Sequence, residues 1–211
     1  MSESTNPWLS RPVTPDLSSP AYTPALTSAL TGPSAPQRGV PVPDRVDQLP
    51  TVSQPRQAEL WWVGTHGGAG ESSLAALVPE WASAGHGWPR TPGVASARVV
   101  LTARSNLRGL RAAQVAATQW ASGLVPHVQV LGLVVIADAP GRLPRPLREY
   151  AQLVSGGVPR TWTLPWIETW RLGETPELAT SPREVRRLVD ELTALLRPGA
   201  AGTTTLRGTT R

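Results

Sequence analysis

The densest chemistry in the sequence lies in WWVGTHGGAGESSLAAL, residues 61–77. Glycines at 64, 67, 68 and 70 let the backbone turn tightly with its N–H groups facing inward, and hydroxyls follow at Ser72 and Ser73. If a strand leads in and a helix leads out, the positive end of the helix dipole points at the same spot, a geometry suited to phosphate. At the centre, however, stands Glu71, an anion where an anion-binding loop wants a cation. Two readings stand side by side. One is a phosphate nest formed by Gly67, Gly68, Gly70, Glu71, Ser72 and Ser73; the other is a strand-to-helix turn with no ligand. In the first reading the Glu71 carboxylate is expected to fold back, accept N–H bonds from the loop and plug the nest.

Other reactive side chains are sparse. Cysteine is absent, which removes disulfides, thiol catalysis and thiolate metal sites. His66, His86 and His127 have no partner at i+4 and no carboxylate pattern of a metal site. Trp166 and Trp170 share a face if WIETWRLGE is helical; Trp166 could then stack on a base, or the pair could form core or a partner-facing patch. Arg183, Arg186 and Arg187, with Arg197 beyond, could track phosphates of DNA, although Glu184, Asp190 and Glu191 dilute the cluster and suit a solvated helix face. Arg142, Arg145 and Arg148 form a second basic group.

The elements that must position these groups are legible from periodicity. AELWWVG, ARVVLTA, VQVLGLVVIA and VPRTWTL read as buried strands. Between them, ESSLAALVPEW, NLRGLRAAQVAATQWASG and PRPLREYAQLVSGG read as helices, with Pro79 kinking the first and Ser105 or Asn106 capping the second. A last helix follows Ser181, Pro182 and Glu184, which have the spacing of a capping box. Continuous apolar strands alternating with helices predict an α/β fold, a mostly parallel sheet of about four to six strands with helices on both faces. Trp61 and Trp62, adjacent on one strand, must then pack under opposite helical layers. Residues 1–57 hold eleven of the 23 prolines and are predicted to be a disordered linker, 58–198 the folded domain and 199–211 a disordered tail. An apolar cluster at 21–30, AYTPALTSAL, is the one linker stretch that could dock on the domain or a partner.

THGGAGESS resembles the deviant Walker A loop of the ParA/MinD partitioning ATPases. On that resemblance Gly67, Gly68 and Gly70 match the loop glycines and Ser72 the magnesium-ligating hydroxyl. His66 stands at the signature lysine that reaches across a dimer, and Glu71 at the lysine that grips the phosphates; both lysines are gone. The likeness extends loosely over residues 58–172, with TLPW at 163–166 similar to the loop near the adenine. It implies a P-loop NTPase-like fold, ATP and magnesium as cofactors and homodimers. The magnesium-site acids of those ATPases have no counterpart in ASAGHGWPRTPGVAS. Asp138 has the look of a substitute carboxylate if its strand lies beside the loop, and is otherwise a turn residue of DAPG. HGGAG and GESSL also resemble hydrolase motifs, but here the two overlap, and no Asp-then-His order follows Ser72.

All 20 basic residues are arginine, and the formal charge of +5 permits contact with nucleic acid without requiring it. This lysine-free, tryptophan-rich composition resembles an uncharacterised actinobacterial family associated with conjugative elements. No signal segment or membrane-length apolar run is evident, so a cytoplasmic location is expected. The leading expectation is a degenerate P-loop binding or scaffolding protein with a protein partner, in a plasmid or conjugation setting. The alternatives are a weak nucleotide-binding ATPase and a DNA-associated accessory protein.

Overall fold

The computed structural model describes residues 30–197. In chain order the strands and helices are β1 (Thr51–Ser53), β2 (Leu60–Gly64), α1 (Glu71–Ala75), β3 (Trp81–Ser83), β4 (Trp88–Arg90), β5 (Ala97–Arg104), α2 (Leu107–Ala121), β6 (Val128–Ile136), α3 (Arg145–Ser155), β7 (Thr161–Leu164), α4 (Glu168–Arg171) and α5 (Arg183–Leu196). Five strands pair in the order β3-β2-β5-β6-β7, every pair parallel. The predicted α/β class with a parallel sheet and helices on both faces is the observed fold. Alternation on β2 sends Trp61 into the layer containing Leu110, Ala113 and Val154 of α2 and α3, and Trp62 into the layer containing Leu74, Val185 and Leu188 of α1 and α5. Gly132 on β6 is required by packing, because a Cβ there would run into the Arg160 carbonyl and lie 2.5 Å from Trp162 Cζ3.

Three local expectations are corrected. The first helix stops at Ala75 rather than running to Trp81, and Trp81–Ser83 becomes an edge strand beside β2. Pro79 cannot continue the helix, and Trp81 gains a tilted contact with Trp62, the ring centroids 5.7 Å apart. Ser181 does not cap α5: its hydroxyl donates to the Glu177 carbonyl and Pro182 occupies the cap. At α2, in contrast, Asn106 Oδ1 accepts from the Gly109 amide at 2.8 Å, the cap that was predicted.

The third correction concerns the proline-rich linker. Residues 30–57 are laid onto the domain. Gln37 N–H donates to the Ala121 carbonyl, Val40 and Leu49 pack on the core, and β1 pairs in parallel with β4. Gln119, 3 % exposed in the last turn of α2, holds the Leu49 residue through both amide atoms: Oε1 accepts from its N–H and Nε2 donates to its carbonyl, each at 3.0 Å. Composition predicted disorder because these anchors belong to another element. The predicted disorder of residues 1–29, and of the tail 199–211, lies outside the described residues.

Candidate functional site

From β2 the chain goes to β3 on one side and then to β5 on the other, so the carboxyl ends of β2 and β5 flank the crevice where open α/β sheets take ligands. The glycine loop sits there. Gly68 and Gly70 have φ of 74° and 101°, conformations that disfavour any side chain, and a Cβ on Gly70 would come within 2.7 Å of Ile136 Cδ1. Gly67 is exposed and has open space around it. Ser72 is exposed and Ser73 half-buried, both on the first turn of α1.

Glu71 is 8 % exposed. It does not fill the nest with loop N–H bonds as expected: Oε2 is buried with no hydrogen-bond partner, and Oε1 lies 3.8 Å from His86 Nε2. Gly64 makes room for both groups, since a Cβ there would lie 2.7 Å from Glu71 Oε2 and 2.8 Å from His86 Nδ1. The other nitrogen of His86, Nδ1, is 3.1 Å from the Gly64 carbonyl. A carbonyl only accepts, so Nδ1 carries a hydrogen and Nε2 is the nitrogen left facing the carboxylate.

His66 and Arg104 tie the loop to the neighbouring strands. His66 Nε2 accepts from the Arg104 amide at 3.0 Å, which leaves Nδ1–H to donate to the Gly67 carbonyl at 2.9 Å and fixes a neutral ring. Arg104 Nε donates to the Gly68 carbonyl at 3.0 Å, and Nη1 to the Ala137 carbonyl at 3.2 Å. Burial lowers the Arg104 pKa from its ordinary value; Asp138 opposes that, the Arg171 charge adds to it, and Glu71 opposes it. Thr65 and Thr102 complete the stitching, the Thr65 hydroxyl donating to the Thr102 carbonyl and the Thr102 hydroxyl to that of Val63.

The remaining candidates are dispersed. β5 separates β2 from β6, so the strand that ends before Asp138 does not lie beside the loop strand; the Asp138 amide donates to Ser105 Oγ in a turn. Among the described residues no group of three or more His, Cys, Asp or Glu could hold a metal ion. Trp166 precedes the four-residue α4 rather than sharing a helix with Trp170, so the predicted common face is not formed. On α5, Arg183 and Arg186 are exposed, while Arg187 pairs at 2.7 Å with Glu191, whose other oxygen accepts from Trp162 Nε1. His86 and Arg104 were missed. Arg104 had a signal, its place at the carboxyl end of a strand; His86 sat in a segment without periodicity.

No described helix is long and apolar enough to cross a membrane. Residues 58–189 match a family of unknown function, DUF6668. No curated protein and no solved structure matches the chain.

Proposed function

We propose, for a chain that belongs to this family of unknown function, that it is a degenerate P-loop protein of the ParA/MinD type. It acts as a binding or scaffolding module for a protein partner and does not hydrolyse nucleotide. The observation that carries the reading is Glu71, a buried carboxylate at the position that the resemblance gives to the phosphate-gripping lysine. Losing that cation forfeits a charge-assisted bond of about 1.5–3 kcal/mol, and repulsion adds to the loss, so nucleotide affinity falls by at least about two orders of magnitude.

The residues present do not fit a magnesium nucleotide. The strand beside β2 ends in Arg104 rather than an acid, and Asp138 follows a strand further away. His66, at the position of the lysine that crosses a dimer, has both ring nitrogens committed within its own chain. The plasmid or conjugative setting rests on the compositional resemblance. Calorimetric titration with ATP and magnesium into the millimolar range tests the reading: no saturable binding and no phosphate release are expected, whereas both together would establish the weak ATPase instead.

Arg183 and Arg186, exposed on α5, favour a second reading as a DNA-associated accessory protein. Retention on DNA that falls steeply with salt supports it; a flat response between low and moderate salt removes it.

A further inference from the structure

Among the described residues the strand β7 ends the sheet, paired with β6 alone. The carbonyls of Arg160 and Leu164 accept from the Leu133 and Ala137 amides, so these alternate residues face β6. Peptide groups alternate sides along a strand, so Pro159, Thr161 and Thr163 face outward. An open row of donors and acceptors recruits another strand unless something covers it.

The first rung of such a strand is already in place. Thr31 N–H donates to the Pro159 carbonyl at 2.9 Å, and the Thr31 hydroxyl donates to that of Val158 at 3.2 Å. The next residue, Gly32, lies against the carbonyls of Gly156 and Val158, so the chain advances here as β7's lead-in retreats. That is an antiparallel approach. In that register the positions opposite Thr161 and Thr163 are those two and four residues before Thr31.

We propose that the free edge of β7 is the docking site of this chain's own segment Ala25–Leu30, as an added antiparallel strand. The sequence ALTSAL lies between Pro24 and Gly32-Pro33, so it has an amide at every rung and a breaker at each end. Alternation places Ala29 and Thr27 on the side of Thr161 and Thr163, whose side chains line a cavity of about 540 Å³ against Arg148, Ala151 and Gln152 of α3. The docked segment denies the edge to other strands.

Amide hydrogen exchange on the full chain tests the register. The Thr161 and Thr163 amides are expected to exchange at least tenfold slower than open amides. Ala29→Pro and Thr27→Pro each abolish that protection, because they delete donors aimed at β7. Ser28→Pro leaves it intact, because the residue 28 amide points away. The Leu133 and Ala137 amides, on the β6 side, report that the sheet persists in each variant. Open exchange at Thr161 and Thr163 in the unmodified chain overturns the proposal, as does equal loss in Ser28→Pro and Ala29→Pro. Protection that arises only with rising protein concentration, or on adding another protein, also overturns it and gives the edge to a second chain.

Discussion

Glu71 Oε1 and His86 Nε2 face each other at 3.8 Å beneath the glycine loop, with His86 held from behind by the Gly64 carbonyl. The carboxylate is nearly buried and the imidazole nearly half exposed, so the ring is the solvent-side cover of a carboxylate whose Oε2 has no hydrogen-bond partner among the described residues. His86→Ala is expected to destabilise the fold by at most about 1 kcal/mol, the worth of a half-exposed charge contact, because Glu71 Oε2 lacks a hydrogen-bond partner with or without the ring. Glu71→Gln in the same background should recover most of that loss. Urea midpoints of the two single variants and the double close the cycle; additive effects would show that the pair does not interact.

The contact also revises the lysine exchange that the sequence invites. At an exposed helix end Glu71→Lys would be nearly neutral for folding, at about 0.3–1 kcal/mol. In the observed site the new ammonium enters a buried position sized by Gly64 and capped by His86. Glu71→Lys should therefore lower stability by more than Glu71→Gln does, while ATP binding rises above that of the unmodified chain. Calorimetric titration alongside thermal unfolding measures both; unchanged ATP affinity would detach the loop from any phosphate-binding ancestry.

Arg104 joins the loop carbonyl of Gly68 to the Ala137 carbonyl at the end of β6 with two different nitrogens. A lysine cannot fork in that way. Arg104→Lys should lose one or both bonds, about 0.5–1.5 kcal/mol each, and exchange at the Gly67 to Gly70 amides should speed up while the β5–β6 ladder stays protected. Uniform loss of protection across both would mean that Arg104 supports the whole sheet rather than the loop.

How much was legible follows from what carries a period. The strands β2, β5, β6 and β7 and the opposite burial of Trp61 and Trp62 are written in apolar runs, which need no knowledge of neighbours. A three-residue strand such as Trp81–Ser83 has no period to detect, and its partner Trp62 lies nineteen residues earlier in the chain. The loop glycines were legible as a turn, whereas the use of Gly64 was not, because the groups that need its space, Glu71 and His86, come from either side of β3. The anchoring of residues 30–57 was hidden in the same way, in a glutamine seventy positions from the peptide it holds.

His127 gives the fold a pH dependence of definite sign. Burial, reinforced by the charge of Arg90, lowers its pKa below the ordinary 6.5. The unfolded chain therefore binds a proton that the folded chain refuses, and the stability this residue contributes is full above pH 6.5 and lost as pH falls below it toward the folded value. His127→Gln should flatten stability against pH in that acidic window, while its difference from the unmodified chain stays constant with pH above 6.5. An equally steep acid slope in the variant, measured by urea unfolding at several pH values, would move the dependence to other groups.

The anchoring of the proline-rich segment offers the most direct check on the fold. Gln119 satisfies both the donor and the acceptor of the Leu49 peptide from inside α2, and β1 continues that attachment two residues later. Gln119→Ala leaves two partly buried backbone groups without partners and is expected to cost about 1–3 kcal/mol. The loss should be local first. Trypsin sites at Arg45 and Arg56 flank the anchor, so native cleavage there should be slow in the unmodified chain and faster in Gln119→Ala, under conditions where the β5 and β6 amides remain protected. Rapid cutting at both arginines in the unmodified chain would return residues 30–57 to the linker that their composition suggested.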